Sequence, residues 1–167
     1  MATPLAASVI PATTYKALCQ WQPTSGASIP TDAVNGGMDS SGETLYIGRT
    51  RVENEIVPGK VVPSHQCCYV PWGGQEHRHE QYEILVAQGD CEFVWAPCAG
   101  GEVPSGAIQG GVTSEGERLY IGRAKHEGSL TIGKVHPSHK VCYIPYDGDE
   151  VAHEEYEVLA CKTINLV

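Results

Sequence analysis

Asp39 and Lys60 are the two charged residues whose setting most favours ligand binding. Asp39 follows Gly36-Gly37-Met38, and Lys60 follows Pro58-Gly59. Because glycine supplies the positive φ of tight turns, both residues are predicted to lie beside turns on a sheet, where loops carry function. A carboxylate and an ammonium that face one cleft can accept from and donate to adjacent sugar hydroxyls through charge-assisted hydrogen bonds. The residues alone leave a second interpretation open, in which both are solvated charges at turns.

The cysteines give no sign of catalysis or metal binding. The chain has seven of them, Cys67 and Cys68 are adjacent, and no C-x-x-C motif is present. Cys68 and Cys142 occupy matching positions in two similar segments, which favours buried, small apolar residues. A Cys–His hydrolase would need a thiol beside an activating imidazole, and no residue is marked as such a nucleophile. We therefore expect no catalytic residue and no enzyme.

Histidines give a weak indication of a metal site and a stronger one of structural turns. His77-Arg78-His79 could place two imidazoles on one face of a strand, as in some metal sites, but the matching segment Val151-Ala152-His153 keeps only one. We expect no metal and no cofactor. His65 and His139 each close a Pro-Ser-His segment. They are predicted to bond backbone in a turn, and contact with a ligand is the alternative.

An internal duplication organises the chain. Trp95 follows Trp21 by 74 positions, and at this shift the two stretches align without a gap. GETLYIGR at 42–49 matches GERLYIGR at 116–123. GKVVPSHQCCYVPWGG at 59–74 matches GKVHPSHKVCYIPYDG at 133–148, and HEQYEIL at 79–85 matches HEEYEVL at 153–159. Two copies of one unit therefore make up most of the chain.

Each copy is predicted to be all-β. Short segments such as LYIG, CCYVP and YEILV are rich in β-formers and are separated by turn residues, whereas apolar residues at helical spacing appear nowhere. We expect four or five short antiparallel strands per copy, with Gly36-Gly37, Pro58-Gly59 and Gly73-Gly74 as turns.

The linker at 87–90 is too short to separate the copies, and one copy could bury little alone. The expected organisation is an N-terminal tail at 1–20 with a possible extra strand from 15, a first repeat at 21–90 and a second at 91–167. The two tandem repeats should share a core around a pseudo-twofold axis and form one body.

Charge and composition exclude several partners. Eleven Lys and Arg against 20 Asp and Glu give a net charge of −9, and no two basic residues are adjacent. The sequence thus lacks a cluster of basic residues that could follow a phosphate backbone. We therefore expect no binding to nucleic acid or to an anionic membrane surface. No apolar run approaches the roughly 20 residues of a membrane helix, so membrane insertion is not expected.

The first residues and the cysteine content indicate where in the cell the protein is expected. The first fourteen residues lack Lys and Arg and contain Pro4 and Pro11, which is a poor signal peptide. Together with an odd number of cysteines, this favours a cytoplasmic protein with free thiols. Unconventional secretion is the alternative.

The repeated motifs resemble the DM-nine repeat family. The relevant strings are GG-x-D/T-S-x-GE-x-LYIGR, PGK or IGK, V-x-PSH-x-x-CY-x-P and H-E-x-YE-x-L, in this order in both copies. The resemblance covers residues 21–160. It implies two repeats intertwined by strand exchange, a homodimer, and recognition of mannose-type glycans in clefts between the repeats, as in a two-repeat bivalve lectin. Such a lectin would serve innate pattern recognition. A non-catalytic protein-interaction or stress-response module without sugar binding is the alternative, because repeats of this kind have varied functions.

The same resemblance implies site residues. The Asp and Lys that hold mannose correspond to Asp39 and Lys60, and Glu55 lies where a further acidic residue falls. In the second copy Lys134 matches the lysine, whereas Thr113 stands in place of the aspartate. The second site therefore needs another acid, for which Glu115 is the nearest candidate in sequence.

Overall fold

Strands dominate the molecule. The computed structural model describes residues 19–89 and 91–162. Strand accounts for 66% and helix for 4% of this structure, which confirms the all-β prediction. None of the helices in these two ranges is long and apolar enough to cross a membrane.

Each repeat contributes seven strands and one turn of 3-10 helix. The first repeat holds β1 (Cys19–Ser25), β2 (Asn35–Met38), β3 (Thr44–Val52), β4 (Glu55–Val62), β5 (Cys67–Trp72), β6 (Gln75–His79) and β7 (Gln81–Ala87). The second holds β8 (Phe93–Ala99), β9 (Gln109–Val112), β10 (Arg118–His126), β11 (Ser129–His136), β12 (Val141–Tyr146), β13 (Asp149–His153) and β14 (Glu155–Cys161). The 3-10 turns are Pro63–His65 and Pro137–His139. Every element of the second repeat begins 74 positions after its counterpart, as the sequence shift predicts.

The repeats are intertwined, as expected. β2 lies between β3 of its own repeat and β11 of the other, and β9 lies between β10 and β4. β6 and β13 also pair across the boundary, so one antiparallel sheet of 14 strands joins the described parts of both repeats. The pairs between repeats are related by the pseudo-twofold axis. Met38 pairs with Leu130, and the residues 74 positions away from them, Val112 and Ile56, pair in the same way.

The core has a shared centre and two flanks. A central cluster draws on both repeats and contains Leu45, Ile47, Val62, Leu85, Ile121, Ile132 and Leu159. One further cluster lies wholly within each repeat, built around residues such as Val61 and Val70 in the first and Val135 and Ile144 in the second. Neither repeat could keep the central cluster dry by itself, which is why the pair forms one body.

Two of the three predicted glycine turns are wrong. Gly73 and Gly74 do form the β5–β6 turn with positive φ, but Gly36-Gly37 lies inside β2 and Pro58-Gly59 inside β4. A Cβ at Gly37 would overlap the backbone oxygen of Leu130 across the repeat boundary. These glycines therefore serve the close approach of strands and not chain reversal.

The predicted strand number was too low because several strands are not apolar. β2 reads NGGM and β6 reads QEHRH, and neither has the β-branched alternation of a half-buried strand. Cross-strand pairing holds both of them instead. Of the predicted strand beginning at Tyr15, Cys19 and Gln20 belong to β1, whereas 15–18 lie outside the described residues.

Candidate functional site

A cavity of about 370 Å³ opens where the two repeats meet. Asp39 and Lys60 both line it, so the structure brings together the two residues singled out by sequence. The wall from the first repeat also includes Leu45, Val62, His65, Tyr69 and Glu76, and the second repeat contributes Glu127, Tyr146 and Asp147. We call this space the first cleft.

Asp39 is fixed by the turn that it caps. Its Oδ1 accepts hydrogen bonds from Ser41 N at 3.0 Å, Ser41 Oγ at 2.7 Å and Glu43 N at 2.9 Å. The bond from Ser41 is the main cause that lowers the pKa of Asp39, so the carboxylate is ionised at neutral pH. Since all three bonds use Oδ1, Oδ2 remains available to a ligand in the cleft.

Lys60 is not in a turn, contrary to the sequence prediction. It lies in β4 with only 9% of its surface exposed, because Gly59 lets β5 approach closely. Burial lowers the pKa of Lys60, and the carboxylates of Glu76 and Asp39 partly oppose that shift. The Nζ atom lies 3.5 Å from Glu76 Oε2. The ammonium therefore has one ionic partner and protons to spare for a ligand.

Aromatic rings frame the lysine from both repeats. Lys60 Nζ lies 5.7 Å from the ring centroid of Tyr69 and 5.2 Å from that of Tyr146. Burial raises the pKa of Tyr69 to about 12, so its hydroxyl stays neutral. Tyr69 OH also lies 2.9 Å from His65 Nδ1, so this histidine bonds a side chain and not the predicted backbone group. A few convergent polar groups between aromatic walls are typical of small-molecule sites.

The second repeat repeats the lysine–glutamate–tyrosine arrangement around Lys134, and we use the name second cleft for this position. Lys134 is 5% exposed, its Nζ lies 3.0 Å from Glu150 Oε2, and it lies 5.3 Å from the ring centroid of Tyr143. Glu150 Oε2 is fully buried, and the ammonium of Lys134 at 3.0 Å is its partner. The pair is therefore closed off from solvent on the carboxylate side.

Thr113 replaces Asp39 in structure as well as in sequence. Its Oγ1 accepts from Glu117 N at 3.0 Å, which repeats the bond from Glu43 N to Asp39. The turn is thus preserved without a charge.

Glu55 places a carboxylate against the turn that holds Thr113. Although it belongs to the first repeat, its Oε2 accepts from Ser114 N at 2.9 Å and its Oε1 from Trp72 Nε1 at 2.7 Å. The expected substitute Glu115 is exposed in the β9–β10 turn. Glu55 therefore belongs with Thr113 and not with Asp39, because the β4–β9 pairing carries it across the boundary.

Glu76 and Glu150 are site residues that sequence reasoning missed. Each carboxylate pairs with the lysine of its own repeat and accepts a backbone hydrogen bond from the hairpin turn of the other repeat. Glu76 Oε1 accepts from Gly148 N at 3.2 Å, and Glu150 Oε1 accepts from Gly74 N at 2.9 Å. Their matched positions, 74 apart, were the only signal in the sequence.

The second cleft also differs from the first in its histidines. His136, the counterpart of Val62, donates from Nε2 to Glu117 Oε1 at 2.9 Å and stacks on His139 with centroids 3.5 Å apart. Burial lowers the pKa of His136, and the neighbouring His139 lowers it further. His139 Nδ1 lies 2.9 Å from Tyr143 OH, as His65 does from Tyr69 in the first repeat.

Metal-ligating groups do not gather in the described ranges. No set of three or more His, Cys, Asp and Glu residues there is placed to hold an ion. His77 Nε2 lies 2.8 Å from the backbone oxygen of Trp72, so it is engaged in the β5–β6 hairpin. Cys67, Cys68 and Cys142 are buried, as the sequence suggested for the last two.

Comparison with known proteins agrees with this architecture. A family model for the DM9 repeat matches residues 3–78 and 39–153. Natterin-4 of Thalassophryne nattereri is 33% identical over 132 residues, which cover 78% of this chain and 31% of that protein. Natterin-1 of the same organism is 27% identical over 137 residues, 80% of this chain and 36% of that protein. The chain thus spans about a third of the length of these relatives.

A solved structure has the same fold. The nematode sperm cell motility protein MFP2B superposes with a TM-score of 0.70 at 16% identity, covering 89% of this chain and 48% of that one.

Proposed function

Because the chain belongs to the DM9 repeat family, we propose that it is a lectin that binds mannose-type glycans in the clefts between its two repeats. The family and the fold indicate a β-rich binding module. The observation that carries the proposal is the first cleft, where Asp39 and Lys60 meet in a cavity of about 370 Å³ with walls from both repeats.

The chemistry of the first cleft suits vicinal hydroxyls. A sugar presents neighbouring OH groups, each both donor and acceptor. Asp39 Oδ2 can accept from one hydroxyl while the ammonium of Lys60 donates to the next. Hydrogen bonds to charged groups contribute roughly 1.5–3 kcal/mol each, against about 1 kcal/mol for neutral ones. The tyrosine rings beside Lys60 then provide apolar walls for the face of the sugar ring.

The second cleft shares a lysine and one tyrosine with the first but takes its nearby carboxylate from another source. Lys134 corresponds to Lys60, and Glu55 supplies a carboxylate from across the boundary next to Thr113. Both oxygens of Glu55 already accept hydrogen bonds from protein groups. We infer that the second cleft binds the same sugar class more weakly than the first.

The proposal is tested by calorimetric titration of the protein with methyl mannoside and with mannose oligosaccharides. Asp39→Thr is the sharpest variant, because Thr113 shows that a threonine keeps this turn intact. We expect Asp39→Thr to lose most of the affinity of the first cleft, at least several-fold, since a charged acceptor is replaced by a neutral one. Thr113→Ala is the matched control and should change binding little. Equal losses in the two variants would contradict the assignment.

Several further properties belong to the proposal. We propose a non-catalytic homodimer in the cytoplasm, with unconventional secretion as the alternative, that acts in innate pattern recognition. Sedimentation velocity tests the dimer, and a glycan array tests the ligand class. Absence of binding to any mannose-containing glycan would favour the alternative, a protein-interaction or stress-response module without sugar binding.

A further inference from the structure

Two thiols meet where the linker between the repeats joins the second repeat. Cys91 lies just before β8, Cys161 ends β14, and their Sγ atoms are 3.6 Å apart. Both side chains are half-buried and neither forms a disulfide. We propose that Cys91 and Cys161 are a redox-reactive pair that a small-molecule disulfide oxidises to a covalent staple.

The backbone already holds the two segments side by side. Cys161 pairs with Phe93 in the β8–β14 ladder, and Lys162 N donates to the oxygen of Glu92 at 2.9 Å. Antiparallel pairing of Glu92 and Phe93 with Cys161 and Lys162 therefore holds the segment that carries Cys91 beside the end of β14. Bond formation requires side-chain rotation and a small approach of the two strands.

The other thiols are less suited to this reaction. Cys67, Cys68 and Cys142 are buried in the sheet, and burial raises the pKa of the Cys68 and Cys142 thiols far above the ordinary range. Cys19 and Cys98 are also half-buried. Cys19 is the stronger competitor: burial raises the pKa of its thiol and the charge of Cys91 raises it further, so Cys19 and Cys91 lie near each other. Contact between sulfur atoms favours Cys161 as the partner.

The pair is a feature of the second repeat and not of the repeat design. Position 87, the counterpart of Cys161, is alanine, and it faces Cys19 in β1 as Cys161 faces Phe93 in β8. The strand pairing at this position therefore does not require a cysteine. This asymmetry provides a natural control, because Cys161→Ala restores the residue found in the first repeat.

The reaction balances as a double thiol–disulfide exchange. The thiolate of one cysteine attacks a sulfur of the disulfide R–S–S–R, forms a mixed disulfide and releases one RS⁻. The thiolate of the second cysteine then attacks the protein sulfur, forms the Cys91–Cys161 bond and releases the other RS⁻. The two cysteines lose two protons and two electrons, and the small disulfide is reduced to two thiols.

The local environment makes this reaction slow at neutral pH. Burial, together with the hydrogen bond and charge of Cys161, raises the pKa of Cys91 to about 11. Since only the thiolate attacks, attack by Cys91 should become faster as the pH rises from 7 to 9. The pair then stays reduced in a reducing compartment and closes under sustained oxidation.

Oxidation would enclose the second repeat in one covalent loop, because Cys91 and Cys161 are 70 positions apart. A cross-link over a loop of this length restricts the unfolded chain strongly. We expect the reduced protein to fold without it.

The test is oxidation of the native protein with oxidised glutathione at pH 8, followed by peptide mapping without reductant. We expect a mass loss of two hydrogens, a linked peptide containing Cys91 and Cys161, and a melting temperature at least about 5 °C above that of the reduced protein. Cys161→Ala should keep the melting temperature of the reduced wild type and show no rise on oxidation.

Three results would overturn the proposal. They are a Cys19–Cys91 link in place of the expected one, stable glutathione adducts on both thiols without a link, and a link that forms only in urea. Mapping of the wild-type protein distinguishes all three without any variant. Glycan binding is not part of this test, so its outcome is independent of the proposed lectin function.

Discussion

At the residue scale, each cleft is organised by a lysine that the fold has almost removed from water. A buried ammonium costs free energy, and pairing it with a carboxylate offsets this cost only partly. Lys60 and Lys134 are therefore poor contributors to stability as Lys–Glu pairs with Glu76 and Glu150. We propose that both lysines are kept because they present a cation with unused donors at the boundary between repeats, next to tyrosine rings.

The position of Glu55 leads to the most specific prediction about binding. Glu55→Ser places at this position the residue that the second repeat has at Ser129. If Glu55 supplies the acidic partner of the second cleft, adding Glu55→Ser to the Asp39→Thr protein should weaken the residual binding by a further several-fold. Calorimetric titration with methyl mannoside measures this affinity. Unchanged residual binding in the double variant would remove Glu55 from the site.

The resemblance implied Asp39, Lys60, Glu55 and Lys134 as site residues but did not say which cleft Glu55 adjoins. Sequence could not decide this, because the position of Glu55 depends on which strand β4 pairs with across the boundary. Glu76 and Glu150 were missed for a similar reason. Their role comes from a lysine two strands away and a turn in the other repeat, neither of which is visible in a local motif.

At the element scale, the exchanged strands β2 and β9 depend on glycine. In β2, Gly36 packs under Ile132 and Ile47, and Gly37 lies against the backbone of Leu130. β9 repeats this with Gly110 and Gly111. The glycine pair suggested a turn because local sequence does not reveal how closely another strand approaches. The all-β class, by contrast, could be predicted because apolar, β-branched segments such as β5 and β12 form the central layers.

Gly37→Ala tests the close approach of β2 to β11. The added methyl would overlap the Leu130 carbonyl, which is backbone and cannot rotate away, so the strands must separate. We expect a loss of about 3 kcal/mol in the free energy of unfolding, at the upper end of the range for overpacking. Urea denaturation measures it.

Met38→Ala is the control for that variant. Met38 is the next residue in the same strand and is 52% exposed, so its truncation should change stability by no more than about 0.5 kcal/mol. Comparable losses for both variants would show that β2 is sensitive to any change and that glycine is not specifically required.

At the scale of the whole molecule, the two repeats differ in their buried histidines, and this difference predicts that acid lowers the stability of the fold. Burial lowers the pKa of His153, and the adjacent His126 lowers it further, with His153 Nε2 3.2 Å from His126 Nδ1. Burial also lowers the pKa of His136 and of His79. The first repeat has Val52 in place of His126.

The sign of the pH effect follows from these lowered values. The folded protein holds these imidazoles neutral, while in the unfolded chain they take up protons below about pH 6.5. Their contribution to stability is therefore full above pH 6.5 and declines as the pH falls toward 5. Urea denaturation at pH 7.5 and 5.0 should show this loss, and His126→Val should show a smaller one. A stability that is flat between these pH values would contradict the buried, neutral state of the histidines.

The central claim is that a sugar binds between the two repeats, and an NMR titration tests it most directly. Backbone amide shifts of the isotope-labelled protein are followed as methyl mannoside is added. The account predicts that the largest changes fall on both walls of the first cleft, at Asp39–Glu43, Lys60 and Tyr69 from one repeat and at Tyr146–Gly148 from the other, with smaller changes around Lys134. Changes confined to one repeat away from these residues, or none at millimolar sugar, would contradict it.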